Sequence, residues 1–312
     1  MSKVIVFGHA NPDTDSVVSA ISYAYLLNQT GYEATAYVLG EPGEETKFAL
    51  DHFGVAVPPV ITKAADVADA DTLLALVDHN EAQQSLPDRG DYRIWSVVDH
   101  HRIANFETVE PLNYRAETVG STNTILYKMY NEQGVDIPKD MAGLMLSAVV
   151  SDTLLMKSPT CTPEDEAAII ALAAIAGVDY NSYGLDLLKA GTNLAAKSCD
   201  ELLNMDAKSF PMGSASVRIA QVNTVDVNDV LSRKAELTTL MQDACTKEGY
   251  DLFLLLITNI LDSNSTALIV GEGTDKVEAA FGVAVADGIA ELAGVVSRKK
   301  QVVPPLTKAY EG

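Results

Sequence analysis

The stretch KVIVFGHANPDTDSVVSAISYAYLLN, residues 3–28, decides the fold. It opens with a β-branched, apolar run that ends at Gly8, which predicts a buried strand over 3–8. Residues 16–28 then carry apolar side chains at helical spacing, which predicts a helix. These positions are Val17, Ala20, Ile21, Ala24 and Leu27. The chain therefore begins as strand, turn and helix, with one histidine and two aspartates in the turn segment GHANPDTDS.

Further strands and a helix follow this unit. The strand candidates are EATAYV (33–38), TLLALVD (72–78) and IWSVVD (94–99). The segments between them are long enough for crossover helices such as EETKFALDHF (44–53). Strands that alternate with helices predict an α/β fold with a parallel sheet.

Three helices are predicted in the middle of the chain. They are GSTNTILYKMYNEQG (120–134), KDMAGLMLSAVVSDTLL (139–155) and TPEDEAAIIALAAIAG (162–177). The first has Ser and Thr at its start and Gly at its end, which are the usual capping residues. The second is apolar almost throughout, which predicts burial on most sides. The third has proline in its first turn and acids near its N-terminus.

A second domain is expected after a change in patterning. Small and polar residues interrupt the periodicity over 189–203, which favours a boundary near 190–195. Beyond it we predict strands SASVRIAQV (214–222), DLFLLLIT (251–258) and STALIVG (265–271), and a helical run from Asn228 to about Lys247. The expected organisation is a domain 1–190, a linker 191–195 and a domain 196–312.

Composition limits the classes of partner. The 312 residues exceed the usual size of one hydrophobic core, in agreement with two domains. Lys and Arg number 22 against 43 Asp and Glu, and the formal charge of -21 disfavours extended contact with nucleic acid or anionic membrane. There is no signal-peptide pattern and no apolar stretch of ~18 residues, so we expect a cytoplasmic protein. Cys161, Cys199 and Cys245 lack CxxC spacing, which disfavours a disulfide framework or a zinc-thiolate site.

Acidic and histidine side chains follow three of the predicted strands. They are His9, Asp13 and Asp15 after the first, Asp78 in VDHN, and Asp99, His100 and His101 in VDHH. In open α/β sheets ligands bind beyond the carboxyl ends of the strands, so these side chains are expected at one rim. Asp152 is a further candidate, because it is a lone carboxylate in the apolar helix 139–155, where burial without a cation is costly.

Each of these residues also has a structural interpretation. Asp13 or Asp15 alone is more typical of a helix cap, and an aspartate after a strand is commonly a turn residue. Asp152 alone could hydrogen-bond to a neighbouring helix. The coincidence favours a site, because four of the 5 histidines lie in the strand-end clusters. His52, the exception, is expected at the surface near a helix end, and His79 is open to a structural role.

The donor types point to a metal. Carboxylate and imidazole ligands together suit a divalent ion such as manganese, and there are too many carboxylates for one tetrahedral zinc. Two adjacent ions would account for the surplus of negative charge.

Four motifs carry a resemblance to a known family. HANPDTDS (9–16), VDHN (77–80), VDHH (98–101) and SRKKQ (297–301), in this order and at these separations, resemble the family II, manganese-dependent inorganic pyrophosphatases of the DHH phosphoesterase superfamily. The resemblance covers essentially the whole chain. VDHH alone indicates the superfamily, whereas its combination with SRKKQ is specific to the pyrophosphatase branch. The resemblance implies an N-terminal parallel-sheet DHH domain, a smaller C-terminal α/β domain with a mixed sheet, and an active site in the cleft between them.

The resemblance also implies roles for individual residues. The implied metal ligands are His9 and Asp13 for one ion, Asp15, His100 and Asp152 for the second, and Asp78 as the bridge. Asp99 would orient the ligands, and His101 would contact the substrate near the reacting phosphate and assist protonation. Lys208, Arg298 and Lys299 would bind phosphate and supply the basic pocket that the acidic chain otherwise lacks. Without the resemblance, SRKKQ is typical of a solvated basic run and Lys208 of an ordinary surface lysine.

The implied activity is hydrolysis of pyrophosphate to two phosphates. Two metals about 3.5–4 Å apart would lower the pKa of a bridging water and yield hydroxide for in-line attack. The implied cofactors are two Mn²⁺ per subunit, with Co²⁺ as an alternative, and Mg²⁺ arriving with the substrate. A homodimer joined through the N-terminal domains is also implied.

Two other functions stay open. One is another DHH phosphoesterase, acting on short polyphosphate, oligonucleotides or cyclic dinucleotides. Nucleic-acid-directed relatives commonly carry a glycine-rich GGGH-like motif in the second domain, and this sequence has none. The other is a metal-binding protein without catalysis.

Overall fold

The chain folds as two compact units. The computed structural model describes residues 2–192 and 194–311, and the units are Met1–Gly191 and Thr192–Gly312. The expected linker 191–195 includes Asn193, which lies outside the described residues.

The first unit contains a five-stranded sheet. Its strands are β1 Lys3–Phe7, β2 Glu33–Tyr37, β3 Leu73–Val77, β4 Arg93–Asp99 and β5 Asn113–Ala116. They lie in the order β2-β1-β3-β4-β5, and every neighbouring pair is parallel. The predicted parallel α/β sheet is confirmed. β5 was not predicted, because its four residues NYRA form an edge strand without an apolar run.

Continuous apolar strands arise because both faces of this sheet are covered. In β1, Val4 and Val6 pack into the core on one face, whereas Ile5 and Phe7 pack into the core on the other. Alternate residues of a strand therefore pack into the cores on opposite faces of the sheet.

Six helices belong to this unit. They are α1 Thr14–Gln29, α2 Glu44–Phe53, α3 Thr122–Gln133, α4 Lys139–Asp152, α5 Pro163–Ala176 and α6 Tyr180–Thr192. Helix α4 ends at Asp152, three residues before the predicted end. Residues 154–156 instead adopt left-handed backbone angles, with φ of 47°, 53° and 64°. Asp152 therefore lies at the end of the helix and not in its interior.

The second unit contains a mixed sheet, as predicted. Its strands are β6 Ala207–Met212, β7 Ala215–Thr224, β8 Leu252–Asn259, β9 Asn264–Gly271 and β10 Ile289–Leu292. They lie in the order β10-β9-β8-β7-β6, with β7 and β8 parallel and the other pairs antiparallel. Strand β8 is apolar from Leu252 to Ile257 because alternate residues enter cores on opposite faces.

The second unit contains more helices than the single run that the sequence predicts. They are α7 Cys199–Asn204, α8 Val227–Leu231, α9 Lys234–Glu248, α10 Thr274–Phe281 and α11 Val303–Glu311, with a π-helical turn Arg298–Val302 before α11. The single run predicted from Asn228 to Lys247 is two helices. The chain breaks at Ser232 and Arg233, where the Arg233 guanidinium donates to the carbonyls of Leu194 and Lys197.

No single helix in the described ranges is long and apolar enough to cross a membrane. Helices α5 and α6 reach the required length and composition only as a pair, and they are bent by 98° at the break between them.

Candidate metal centre

The sheet order of the first unit brings the predicted ligands to one point. The connection from β1 leads outward to β2, whereas β3 lies on the other side of β1, so the direction of winding changes between β1 and β3. Ligands of doubly wound sheets bind at such a point. His9 follows β1, Asp78 follows β3, and Asp99 is the last residue of β4.

The first group of ligands consists of His9, Asp13 and Asp78. His9 Nε2 lies 3.3 Å from Asp13 Oδ2 and 3.4 Å from Asp78 Oδ2. Asp13 is also the N-cap of α1, because its Oδ1 accepts from the Ser16 backbone N–H at 2.9 Å. One carboxylate thus caps the helix with one oxygen and faces the group with the other.

The second group consists of Asp15, His100 and Asp152. His100 Nε2 lies 3.9 Å from an oxygen of each aspartate and 3.3 Å from Asp78 Oδ1. His100 Nδ1 lies 3.0 Å from the Val119 carbonyl, and donation there leaves the Nε2 lone pair facing the carboxylates. Asp78 therefore contacts both groups, one with each oxygen.

His101 and Asp99 lie beside these groups. His101 Nδ1 is 3.0 Å from Asp99 Oδ1 and 3.6 Å from Asp78 Oδ1, and the imidazole is half exposed. Asp99 is fully buried and accepts hydrogen bonds from the His101 backbone N–H and from Asn80 Nδ2. Asp99 thus fixes the orientation of the His101 ring.

A loop that the sequence analysis did not single out holds three of the ligands. Ser121 Oγ and Thr122 N–H both donate to Asp15 at 2.7 Å, and Thr122 Oγ1 donates to Asp78 Oδ1 at 3.0 Å. Together with the Val119 carbonyl, the loop contacts Asp15, Asp78 and His100. The only sequence signal for it is the polar cap GSTN at the start of α3, which does not reveal a partner more than 40 residues away.

The buried aspartates of the two groups lie close enough to repel one another. Burial and the neighbouring Asp15 raise the pKa of Asp78 to about 6, and burial together with Asp15 and Asp78 raises the pKa of Asp152 well above its usual value. Burial alone would raise the pKa of Asp15, but His100 and hydrogen bonds from Asn123, Ser121 and Thr122 lower it. Three carboxylates in such close contact attract a cation.

The pKa values of the two histidines in these groups are also raised. Burial alone would lower the pKa of His9, but Asp13 and Asp78 raise it to about 10. Burial likewise opposes the charge on His100, whereas Asp78 and Asp15 raise its pKa to about 9. Protons and metal ions therefore compete for the same positions.

The geometry suits a metal. Asp78 Oδ2 is buried and has no hydrogen-bond partner among the described residues. Ligand atoms that are about 2.1 Å from one ion lie roughly 3.0–3.4 Å apart, and the His9 distances fall in that range. Mixed imidazole and carboxylate donors fit a divalent transition metal such as manganese.

His79 and His52 lie outside these groups. His79 is 2% exposed, and its ring nitrogens contact the Val77 carbonyl at 2.9 Å and Ser85 Oγ at 3.0 Å. Burial lowers the pKa of His79 to about 4, so the ring is neutral and structural. His52 is exposed near the end of α2.

The predicted phosphate-binding cations belong to the second unit. The buried Arg298 donates through Nη1 to the Asp206 and Ile219 carbonyls and through Nη2 to Asp206 Oδ1 at 2.8 Å. Lys208 is exposed on β6 opposite Ile219, whose carbonyl accepts from Arg298. Lys299 is exposed in the π-helical turn. The contacts described for Arg298 leave its Nε–H and one Nη2–H available for a ligand.

Comparison with known proteins defines the class first. The DHH family N-terminal domain matches residues 3–149, and the DHHA2 domain matches residues 185–309. The parallel sheet and the members of the two groups other than Asp152 lie in the first match, and the mixed sheet lies in the second. The chain therefore consists of a DHH N-terminal domain followed by a DHHA2 domain.

Full-length relatives define the family. Proteins named as manganese-dependent inorganic pyrophosphatases are 54% identical in Lactobacillus johnsonii, with 100% of both chains covered, and 57% identical in Enterococcus faecalis, with 99% of this chain and 100% of the relative covered. A Methanococcus jannaschii structure described as a family II inorganic pyrophosphatase has 40% identity and a TM-score of 0.60, over 99% of this chain and 100% of that one. This chain belongs to the family of manganese-dependent inorganic pyrophosphatases.

A more distant structure shares the fold alone. An exopolyphosphatase-related protein from Bacteroides fragilis is 14% identical, with a TM-score of 0.52 over 99% of this chain and 92% of that one.

Proposed function

We propose that the protein hydrolyses inorganic pyrophosphate to two phosphates in a manganese-dependent reaction. One combined observation carries this proposal. The chain is similar to pyrophosphatases over its full length, and it also contains two groups of candidate ligands that Asp78 joins. Family membership supports the substrate, and the buried Asp78 oxygen without a hydrogen-bond partner supports a metal at that position.

Two manganese ions would occupy the two groups. His9 and Asp13 would hold one, Asp15, His100 and Asp152 would hold the other, and Asp78 would bridge them. Co²⁺ is an alternative ion, and Mg²⁺ would arrive with the substrate. When bound, such ions supply Lewis-acid charge and activate water as a nucleophile near neutral pH.

The remaining roles fall to the side chains of this chain. Lys208, Arg298 and Lys299 would bind the phosphate oxygens, with the open N–H groups of Arg298 forming a planar fork that lysine cannot copy. His101, held through Nδ1 by Asp99, would present Nε2 to the substrate and donate a proton. Phosphoryl transfer depends mainly on such positioning and charge stabilisation.

The residues 1–190 would then form the metal-binding part and 196–312 the substrate-binding part of one enzyme. The homodimer implied by the family resemblance and the cytoplasmic location expected from the sequence pattern stay predictions. The formal charge of -21 continues to disfavour nucleic acid as a partner.

Phosphate release tests the proposal. Purified protein loaded with Mn²⁺ is assayed with pyrophosphate, a short polyphosphate and a cyclic dinucleotide at equal concentrations. We expect pyrophosphate to be hydrolysed far faster, because a nucleoside adds bulk without a matching contact. Equal or faster hydrolysis of either other substrate would identify another phosphoesterase, and hydrolysis of none would identify a metal-binding protein.

A further inference from the structure

A buried carboxylate outside the ligand groups holds the loop that contacts them. Asp165 in the first turn of α5 is 0% exposed. Its Oδ2 accepts from the backbone N–H of Gly120 at 2.8 Å and its Oδ1 from Thr124 Oγ1 at 2.6 Å. Asp165 Oδ2 also accepts from the backbone and hydroxyl of Thr162, the N-cap of α5. Asp165 thus joins the starts of α3 and α5, 45 residues apart in sequence.

The hydrogen-bond partners of Asp165 are neutral groups. Among the described residues no lysine, arginine or histidine forms an ion pair with it, and its partners are N–H and O–H donors. These four donors satisfy both oxygens of the buried carboxylate. The hydrogen bonds hold the loop to the start of α5.

The opposite side of the same loop contacts three proposed ligands. The Val119 carbonyl lies 3.0 Å from His100 Nδ1, Thr122 Oγ1 donates to Asp78, and Ser121 Oγ donates to Asp15. A shift of the loop would therefore move the Asp15 and His100 partners together.

The loop has little freedom to relax, because Gly120 is tightly enclosed. A Cβ atom at Gly120 would lie 2.7 Å from Thr153 Cγ2 and 3.0 Å from Asp165 Oδ2. Thr153 is fully buried and directly follows Asp152. The loop is thus packed against the chain that carries another ligand.

We propose that Asp165 is a positioning residue for the metal centre, acting through the loop 119–124 on His100, Asp15 and Asp78. This inference rests on the proposed function, because it assumes that these residues bind manganese. Residues that orient metal ligands from behind typically affect metal affinity by roughly 10–100-fold. Asp165 is one step further away, so we expect an effect of about tenfold.

Three variants of the full chain separate positioning from folding. Asp165→Ala removes all four hydrogen bonds. Asp165→Asn restores them, because the amide oxygen accepts from Gly120 and Thr162 while the amide NH₂ donates to Thr124 Oγ1. Thr162→Val removes the hydroxyl group that caps α5. Asp165 still accepts hydrogen bonds from Gly120 and Thr124 in this variant, so the variant is a control for lost stability.

Calorimetric titration of each metal-free variant with Mn²⁺, alongside thermal unfolding, gives the decisive comparison. Asp165→Ala should bind manganese about tenfold more weakly, whereas Asp165→Asn and Thr162→Val should stay near the wild-type affinity. The proposal is overturned if Asp165→Ala binds like the wild type, or if Thr162→Val weakens binding equally at the same stability.

A fourth variant covers the case in which Asp165→Ala does not fold. Gly120→Ala keeps the carboxylate but forces the loop away from Thr153 and Asp165, and it should weaken manganese binding in the same direction. Wild-type affinity in Gly120→Ala would contradict the proposal. A wild-type chain that takes up no manganese would overturn the proposed function itself, and the role of Asp165 with it.

Discussion

Asp78 takes part both in the backbone turn after β3 and in the candidate metal centre. It directly follows the buried strand β3, and its φ of 58° lies in the left-handed region. This conformation turns the chain out of the sheet, and one carboxylate oxygen then contacts His9 while the other contacts His100. Aspartate and asparagine tolerate such angles better than most residues.

Asp78→Asn therefore tests the bridge without disturbing the turn. Asparagine accepts the same backbone angle but lacks the negative charge that both ligand groups share. We expect manganese affinity to fall in both groups, measured by equilibrium dialysis of the metal-free protein. The exposed Asp71→Asn serves as the control and should bind like the wild type. Two manganese ions held at wild-type affinity by Asp78→Asn would remove Asp78 from the site.

The pKa of His79, the next residue, leads to a prediction about the stability of the protein at low pH. Its pKa is about 4 in the folded chain against an ordinary value of 6.5, because burial disfavours the charged ring. The unfolded chain thus binds the proton more readily, so the stability from His79 is complete above pH 6.5 and is lost as the pH falls toward 4. The loss should be of order 3 kcal/mol.

Urea unfolding of the metal-free protein between pH 7 and 4 measures this loss. His79→Gln should flatten the pH dependence, whereas the exposed His52→Gln should leave it unchanged. An identical pH dependence in His79→Gln and the wild type would show that His79 does not control the acid stability.

At the scale of elements, the end of α4 is strained. Leu154, Leu155 and Met156 all have positive φ, which costs non-glycine residues roughly 1–2 kcal/mol each. Leu155 and Met156 pack against the core of the first unit, and Leu155 Cδ1 approaches Gly184. The packing of these side chains offsets the backbone cost and ends the helix directly after Asp152.

Leu154→Gly should therefore stabilise the protein. Leu154 does not belong to the described core, so glycine relieves backbone strain with little loss of packing, and we expect a gain of about 0.5–1 kcal/mol in the free energy of unfolding. Leu155→Gly should destabilise the protein, because it loses core contacts. Chemical denaturation measures both, and a loss of stability in Leu154→Gly would contradict the strain argument.

Some strands could be predicted from the sequence, whereas others could not. β1, β3 and β4 could be predicted because they are buried on both faces and therefore read as apolar runs. β5, β6 and β10 lie at sheet edges or are short, and they carry no such pattern. The clustering of the proposed ligand residues could be predicted because strand ends meet at one rim. The loop 119–124, Asp165 and Asp206 could not, because their roles depend on hydrogen bonds between residues 40 to more than 100 positions apart.

At the scale of the whole molecule, charge is divided between the two units. The acidic ligand groups lie in the first unit, and the proposed phosphate-binding cations lie in the second. A tetraanionic substrate near several carboxylates needs positive charge from metal ions and from these side chains together. Binding of metal and binding of phosphate should therefore be separable by mutation.

Arg298→Ala tests this separation. It should leave manganese binding unchanged but lower pyrophosphate turnover by roughly 10²-fold or more, because a preorganised charge contact is lost. Lys300→Ala, two positions away and exposed, is the matched control. Arg298→Lys keeps the charge without the planar fork and should be only partly active. Turnover of Arg298→Ala equal to that of Lys300→Ala would exclude Arg298 from substrate binding.

Manganese titration of the metal-free protein, with uptake and pyrophosphate hydrolysis recorded in the same samples, tests whether this chain is a two-manganese pyrophosphatase. We expect saturation near two ions per chain, with phosphate release rising as the ions bind and absent without them. Hydrolysis that does not depend on manganese, or manganese uptake that leaves pyrophosphate intact, would contradict this expectation.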